Sequence, residues 1–312
     1  MVNRNSSIIL VLGVTASGKG RLAFELARHL GGELVSIDSM KVYRRMDIGT
    51  AKSSLDARRQ IPHHLIDVVE PSESFSVGRF LDLATTAIAD IQARNLPVIA
   101  VGGTALYIKA LLYGLFEGPG SDESIRAALR TRIATAGLPA LHEDLRRIAP
   151  AAAERIHVPD AKRIIRALEV HRLTGRPISS FQTQFDAAAP RRDWTIIGLR
   201  REKETESRRI NARVKRMIDE GLVDEVKSLL AEPNPLSQQA RCAIGYAEII
   251  EHISGRLSLD DAIEEIKKNS RRLAKAQRTW FKRFPQIHWL DLAPEDTLET
   301  VFPRALELVL RS

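Results

Sequence analysis

The sequence predicts an α/β fold, a parallel sheet flanked by helices and interrupted by a helical insertion. Three observations predict it. Ile8 to Leu12 is an unbroken apolar run, the texture of a strand buried on both faces. Gly13 to Lys19 then reads G-x-x-x-x-G-K, and from Arg21 the spacing of Leu22, Phe24, Leu26 and Leu30 becomes helical. Short apolar runs go on alternating with helical periodicity as far as Leu112. The strand texture then stops, and it resumes only at Trp194.

Each further element follows from local pattern. Glu33 to Ile37 is a second strand, ending at Asp38-Ser39 and followed by Met40, Lys41, Val42 and Tyr43. His63 to Val68, after Pro62, reads as a third. Phe80 to Ala93 has helical spacing, Pro97 to Val101 is a strand ending in Gly102-Gly103-Thr104, and Tyr107 to Leu112 is helical again. Such alternation gives parallel strands with right-handed crossovers, and ligands bind beyond the carboxyl ends of those strands. The glycine loop, Asp38-Ser39 and Gly103-Thr104 all fall at such ends, so one shared crevice is expected.

Gly118-Pro119-Gly120 marks a change. Residues 122–177 are rich in Ala, Leu, Arg and Glu and carry no strand pattern. Helices are predicted at Asp122–Thr135, Leu138–Ile148, Pro150–Ile156 and Ala161–Thr174, with Gly175-Arg176-Pro177 as the stop. The predicted division is a core of 1–117 and 190–312 and an inserted domain of 118–189. After the insertion come a strand at Trp194–Leu199 and helices at Arg209–Glu220, Val223–Ala231 and Asp260–Phe284. Ile287–Leu290 reads as a late strand and Leu298–Leu310 as a closing helix. The long helix carries eight basic residues and no acid between Lys267 and Arg283. Lys268, Arg271, Arg272, Lys275 and Lys282 form its stripe, and Leu273, Ala276 and Trp280 are expected on its apolar side. A run of one sign suits phosphate neighbours; the alternative is pairing with acids elsewhere in the fold.

Composition bounds the function. The 312 residues include 47 basic and 39 acidic side chains, a net charge of +8, which suits a polyanionic partner. Cys242 is the sole cysteine, so an internal disulfide and a Cys-cluster metal site are excluded. No apolar run reaches the roughly 18 residues of a membrane helix, and Met1 to Ser7 lacks a signal-peptide core. A cytoplasmic monomer is expected.

The chemistry lies in the three loops. Glycines let the backbone N–H groups of Gly13, Val14, Thr15, Ala16, Ser17 and Gly18 turn inward on a phosphate, and the following helix adds its positive end. Lys19 supplies a full charge. Such loops normally close with a Ser or Thr whose hydroxyl ligates Mg²⁺; here the residue is Gly20. Asp38 reads as a turn cap or as a general base. Thr104 reads as a cap or as a substrate contact. His63 and His64 read as satisfied strand histidines rather than metal ligands. Arg209 and Arg213, four apart on one helical face, read as an anion clamp or as exposed arginines without a role.

At this point the motifs resemble a known family. Gly13 to Lys19, Asp38-Ser39-Met40 with Tyr43, Met46 to Lys52 and Pro62 to Asp67 look like tRNA dimethylallyltransferase. So do Val101 to Thr104, Arg163 to Val170, Ile244-Gly245-Tyr246 and Arg272 to Lys275. The resemblance runs from about residue 8 to Asp291. It implies a P-loop NTPase-like fold and transfer of a dimethylallyl group from dimethylallyl diphosphate. The implied acceptor is N6 of the adenine 3′ of the anticodon, in tRNAs reading codons that begin with U. The implied catalytic residues are Asp38 as base, Thr104 as positioner and Arg209. The implied diphosphate site is Gly13 to Gly20 with Arg213, and Mg²⁺ is the implied cofactor, its protein ligands unassigned. Implied tRNA contacts are Asp38, Ser39, Met40, Lys41 and Thr104 at the crevice, and Arg126, Lys162, Arg163, Ile164, Ile165 and Arg166 on the insertion, which would grip the anticodon stem-loop. Arg241, Cys242, Ala243, Ile244, Gly245 and Tyr246 complete that set. The absence of a zinc-finger extension after Ser312 is the pattern of the bacterial form.

The sequence departs from the family at Gly20, usually Thr, at Lys41, usually Gln or another uncharged residue, and at Ser270, usually Thr. Two alternatives stand beside the resemblance: a P-loop small-molecule kinase, and a non-catalytic tRNA-binding relative that Gly20 has disabled.

Overall fold

The computed structural model describes residues 8–115, 118–181, 194–284 and 286–311. Its contacts divide the chain into two compact units, Met1–Leu111 with Arg191–Ser312, and Leu112–Pro190. The first unit holds β1 (Ile8–Gly13), α1 (Lys19–Leu30), β2 (Glu33–Ile37), α2 (Leu55–Gln60), β3 (His63–His64), α3 (Val77–Ala93) and β4 (Val98–Gly102). The helix α4 (Ala105–Tyr113) runs across the boundary. The second unit holds α5 (Glu123–Ile148), α6 (Pro150–Arg155) and α7 (Ala161–Thr174). The first unit resumes with β5 (Trp194–Arg201), α8 (Lys203–Asp219), α9 (Leu222–Leu230), α10 (Gln238–Arg241), α11 (Tyr246–Ile253), α12 (Leu259–Phe281), β6 (Ile287–Leu292) and α13 (Leu298–Arg311). Among the described residues, no helix is long and apolar enough to cross a membrane.

The six strands among the described residues are all parallel, in the order β3-β2-β4-β1-β5-β6. Every residue of β1 and β2 is buried, as expected of strands covered on both faces. On one side Ile9, Val11, Ile99 and Ile197 meet Leu22 and Leu26 of α1 and Val301 and Ala305 of α13. The register places the site. Leu12 of β1 and Ile37 of β2 both pair with Gly102 of β4. Gly13, Asp38 and Gly103, at or just beyond those pairs, therefore emerge side by side. Residue 102 must be glycine for this approach, since a Cβ there would lie 2.0 Å from the Ile37 carbonyl oxygen.

The second unit has its own core, in which Leu129, Leu141 and Leu145 of α5 pack with Ile164, Leu168 and Val170 of α7 and with Ile178. Asp122 and Asp160 cap α5 and α7 by accepting from the N–H groups of Ile125 and Arg163. The break expected between Thr135 and Leu138 is a kink at Gly137, at φ 80° and ψ 161°, two residues before Pro139. Glu169 is fully buried and accepts from the Asp122 N–H (2.8 Å), from Arg126 Nε (2.8 Å) and from Arg166 (2.7 Å).

Three readings of the sequence need correction. The strand expected at His63–Val68 is only His63–His64, because Leu65 and Asp67 take positive φ and turn the chain toward Lys52 and Arg58, both bonded to Asp67. The apolar side of α12 is Ile266, Ala274, Gln277 and Phe281, whereas Leu273 and Ala276 are exposed. The helices α2, α10 and α11 have no counterpart in the sequence reading. The first two are six and four residues long, too short for periodicity, though Ser54 and Ser237 cap them.

The two histidines are satisfied as expected. His63 Nδ1 lies 2.7 Å from the Ile61 carbonyl, and His64 Nε2 lies 2.7 Å from Glu33. Glu33 is buried at the start of β2 and also accepts two hydrogen bonds from Arg94 (2.5 and 2.9 Å). That guanidinium holds the Glu33 carboxyl down at about 2, against an ordinary 4.5. A depressed carboxyl stabilises the fold above its unfolded value, and the contribution fades as pH falls from about 4.5 toward about 2. Glu33→Gln is expected to cost about 1–2 kcal/mol at neutral pH. It should also flatten the acid loss of stability across that window, measured by urea denaturation at stepped pH. A variant whose acid profile parallels the wild type would assign that sensitivity to other carboxylates.

Candidate active site

The loop after β1 is shaped by its own backbone and by side chains from distant helices. Ala16 and Gly18 take positive φ, 60° and 101°, and the Gly18 value is one that a side chain would strain. The Ser17 N–H donates to the Val14 carbonyl (3.2 Å), closing the turn. Lys19 Nζ donates to the same carbonyl (3.1 Å), so its ammonium folds back over the loop. From α8, Arg209 Nε donates to the Ala16 carbonyl (2.9 Å) and Arg213 donates to the Thr15 hydroxyl (3.2 Å). From α12, Gln277 accepts from the Thr15 N–H (2.8 Å).

Across the crevice, Asp38 Oδ1 accepts from the N–H groups of Met40 (2.9 Å) and Lys41 (3.2 Å). The cap and the base readings are therefore compatible: one oxygen fixes the turn, and Oδ2 has no bonding partner among the described residues. Thr104 Oγ1 accepts from the Ser39 N–H (3.1 Å), which ties the end of β4 to that of β2. Tyr43 and Tyr107 are buried nearby, Tyr107 stacked on Phe80 at 4.0 Å.

The electrostatics are lopsided. Lys19, Lys41 and Arg213 all feel the charge of Asp38, and among the described residues it is the acid they share. Burial, with the charge of Arg213 added, lowers the Lys19 ammonium from 10.5 to about 7. Burial also lowers Lys41 and Arg213 from their ordinary values. Groups so disfavoured in their charged form are relieved by an anion. Backbone N–H groups, a helix N-terminus and three cations around one carboxylate suit a diphosphate next to a proton acceptor.

The sites expected on the insertion and beyond divide sharply. Lys162 and Arg163 are exposed, Ile165 is half-buried and Ile164 is buried. Arg126 and Arg166 point their guanidinium groups at Glu169, and Arg166 also donates to the carbonyls of Pro119 and Gly120. Arg241 and Cys242 are exposed and Ile244 is half-buried, but Ala243, Gly245 and Tyr246 are buried. The Tyr246 hydroxyl donates to Glu225 (2.6 Å), whose carboxylate also accepts from the N–H groups of Asp47, Ile48 and Gly49. On α12 the alternative, pairing with acids elsewhere in the fold, holds for part of the basic run. Lys267, Lys268 and Arg278 pair with Glu264, Glu265 and Glu206, while Arg272 and Lys275 stay exposed.

Comparison with known proteins decides the family. The family model described as IPP transferase matches residues 41–284. The chain belongs to the IPP transferase family. Within it, the tRNA dimethylallyltransferase of Geobacter metallireducens is 48% identical over 284 residues, 91% of this chain and 92% of that one. That of Geobacillus thermodenitrificans is 46% identical over 286 residues, covering 91% and 90%. The crystal structure of the Bacillus halodurans tRNA isopentenylpyrophosphate transferase aligns with a TM-score of 0.71 at 39% identity, over 98% of this chain and 96% of that one. A eukaryotic dimethylallyltransferase described as acting on tRNA gives 0.75 at 28% identity, over 91% and 73%. The fold is thus the P-loop NTPase-like fold of these IPP transferases.

The crevice of this IPP transferase family member offers Mg²⁺ few side-chain oxygens. Among the described residues, no three His, Cys, Asp or Glu side chains gather as a metal site. Residue 20 offers no oxygen beyond its backbone, the Thr15 hydroxyl is taken by Arg213, and Ser17 is the remaining loop hydroxyl, itself buried. The donor set suits a metal carried mainly by diphosphate oxygens and water.

Sequence reasoning missed Gln277 and Glu225. Each sits on an amphipathic helix, where a polar residue that turns toward a loop, Gln277 buried and Glu225 half-buried, looks like part of the solvent face. The same ambiguity separates two arginines. Arg166→Glu sets a second acid against buried Glu169 and is expected to destabilise by about 3 kcal/mol or more. Arg163→Glu, at an exposed position, should stay within about 0.5 kcal/mol. Thermal and urea denaturation of the two variants measure this, and equal losses would overturn the anchoring role of Glu169.

Proposed function

We propose that the protein transfers a dimethylallyl group from dimethylallyl diphosphate to N6 of the adenine 3′ of the anticodon in tRNAs reading codons that begin with U. The carrying observation is the crevice itself, a diphosphate-shaped loop opposite a carboxylate with one engaged and one open oxygen. The names of the relatives, which specify dimethylallyl or isopentenyl transfer and tRNA, supply the reaction class. These matches favour neither the small-molecule kinase nor the non-catalytic binder.

In this reading the adenine is flipped from its loop into the crevice. N6 attacks the first carbon of the prenyl group. The N–C bond forms, the C–O bond to diphosphate breaks, and the N6 proton passes to Asp38 Oδ2. The leaving diphosphate gains charge as the bond breaks, and the loop N–H groups, Lys19, Arg209 and Arg213 stabilise it where it develops. Lys19 arrives with its ammonium destabilised, so the anion restores the charged form. Thr104 holds the Ser39 end of β2 and with it the direction of Asp38. Mg²⁺, held by the diphosphate oxygens, water and the Ser17 hydroxyl, would supply further charge neutralisation to the leaving group. The exposed Lys162, Arg163, Arg241, Arg272 and Lys275 are the proposed phosphate contacts of the tRNA. Arg126, Arg166 and Tyr246 act indirectly, by holding their elements in place.

The test is a mass measurement on unmodified tRNA incubated with the protein, Mg²⁺ and dimethylallyl diphosphate. A five-carbon adduct on the anticodon-loop adenine is expected. Asp38→Asn keeps the oxygen that caps the turn and loses the base, so single-turnover transfer should fall about 10²-fold or more while affinity for diphosphate holds. A wild-type rate in that variant would leave Asp38 a cap alone.

Gly20 generates a second prediction. It is exposed, and a Cβ built there meets no atom within 4 Å, so Gly20→Thr is accommodated without repacking. The added hydroxyl is expected to lower, several-fold, the Mg²⁺ concentration that gives half-maximal transfer. Superimposed titrations of the two proteins would show that the missing hydroxyl is immaterial here.

A further inference from the structure

Gln277 lies within the basic run of α12, yet it is buried. Its Oε1 accepts from the Thr15 N–H (2.8 Å) in the phosphate loop, and its Nε2 donates to the Gly103 carbonyl (2.9 Å), one residue before Thr104. A primary amide has an acceptor end and a donor end; here each meets its complement, so the amide has one orientation. The Thr15 N–H is thereby turned toward α12 rather than left for a phosphate oxygen, and the Thr15 hydroxyl is held by Arg213. On the other side, Thr104 Oγ1 accepts from the Ser39 N–H, next to Asp38. An unbroken path of covalent and hydrogen bonds runs from Thr15 through Gln277, Gly103-Thr104 and Ser39 to Asp38. The approach to Gly103 is tight, since a Cβ there would stand 2.5 Å from Gln277 Nε2.

We infer that Gln277 is a positioning residue that fixes the spacing between the leaving-group loop and the proton-accepting carboxylate, and so governs the transfer step rather than the affinity for either substrate. The inference rests on the prenyl-transfer reading above. Transfer needs three bodies in line: the leaving diphosphate, the prenyl carbon and N6 with its proton acceptor. The first and last are held by loops from different strands. Register brings those strand ends together, but the loops beyond them have no ladder to set their spacing. A buried amide with both ends satisfied is a rigid spacer, and it adds no charge to a crevice already rich in cations. A misplacement of about 1 Å at such a centre costs on the order of 10²-fold in rate. Binding of diphosphate, by contrast, depends on Lys19, Arg209, Arg213 and the remaining loop N–H groups, none of which bonds Gln277.

The experiment uses the full chain. Gln277→Leu removes both hydrogen bonds at nearly constant volume, and Gly103→Ala displaces the amide from the opposite side. For each variant and the double variant, four quantities are measured: the single-turnover rate of transfer to tRNA, the Kd of inorganic diphosphate by calorimetry, the Kd of tRNA, and the Tm. Gln277→Leu and Gly103→Ala should each lower the rate about 10- to 100-fold, with both Kd values within about threefold of wild type. The double variant should lose little more than either single one, because both break the same link. An unchanged rate in Gln277→Leu, Kd values that worsen in parallel with the rate, or losses that multiply in the double variant would each overturn the inference. If Gln277→Leu does not fold, Gln277→Met carries the same expectations. A wild-type protein that binds diphosphate but prenylates no tRNA removes the reaction on which the inference stands. Normal wild-type transfer beside an undiminished Gln277→Leu removes the inference alone.

Discussion

Three cations held around one carboxylate are what the rest of the structure has to support. Lys19, Lys41 and Arg213 share Asp38, and burial works against the charge of each. Left to relax, such a cluster would spread into water. It stays assembled because every segment that carries it is tied from elsewhere. Arg209 and Gln277 hold the loop, Thr104 holds the end of β2, and the Leu12–Gly102–Ile37 register holds all three strand ends. The free protein therefore carries a local electrostatic cost that an anion relieves, as functional sites commonly do.

Cations paired elsewhere in the chain show what a structural solution looks like. Lys52 is almost fully buried, and its ammonium meets the Tyr43 carbonyl, Asp47 and Asp67. Arg126 and Arg166, themselves half-buried, meet the fully buried Glu169. In each case acids or carbonyls complete the coordination, as a buried charge requires when its only task is to stay folded. Lys19 has one carbonyl, Arg213 one hydroxyl, and their shared acid is spent partly on backbone N–H groups. Burial alone does not distinguish the two classes; the completeness of the partner set does.

The fold was legible because its signals are local. An all-buried strand such as Ile8–Leu12 writes itself as an apolar run, a capped helix such as Ala161–Thr174 carries Asp160 before it and Gly175 after it, and the Gly137–Pro139 break is marked by its own residues. The sequence reading lost accuracy where tertiary bonds override local preference. His63–Val68 has strand composition, but Lys52 and Arg58 pull Asp67 out of line, and no propensity scale includes those partners.

The candidate site was legible in the same graded way. Gly13 to Lys19, Asp38 and Thr104 sit at strand ends, so topology alone gathers them. Arg163 and Arg166 lie three apart on one helix, bear the same charge and read alike, yet one faces water and the other a buried glutamate. What separates them is the presence of Glu169 three positions on, buried by the packing of α5 against α7. The converse holds for Gln277 and Glu225, whose polar side chains look like solvent-facing helix residues until the loop N–H groups they receive are known. A charged or amide side chain on an amphipathic helix declares its chemistry in the sequence but not its partner. The partner decides whether it binds a ligand or holds the protein together.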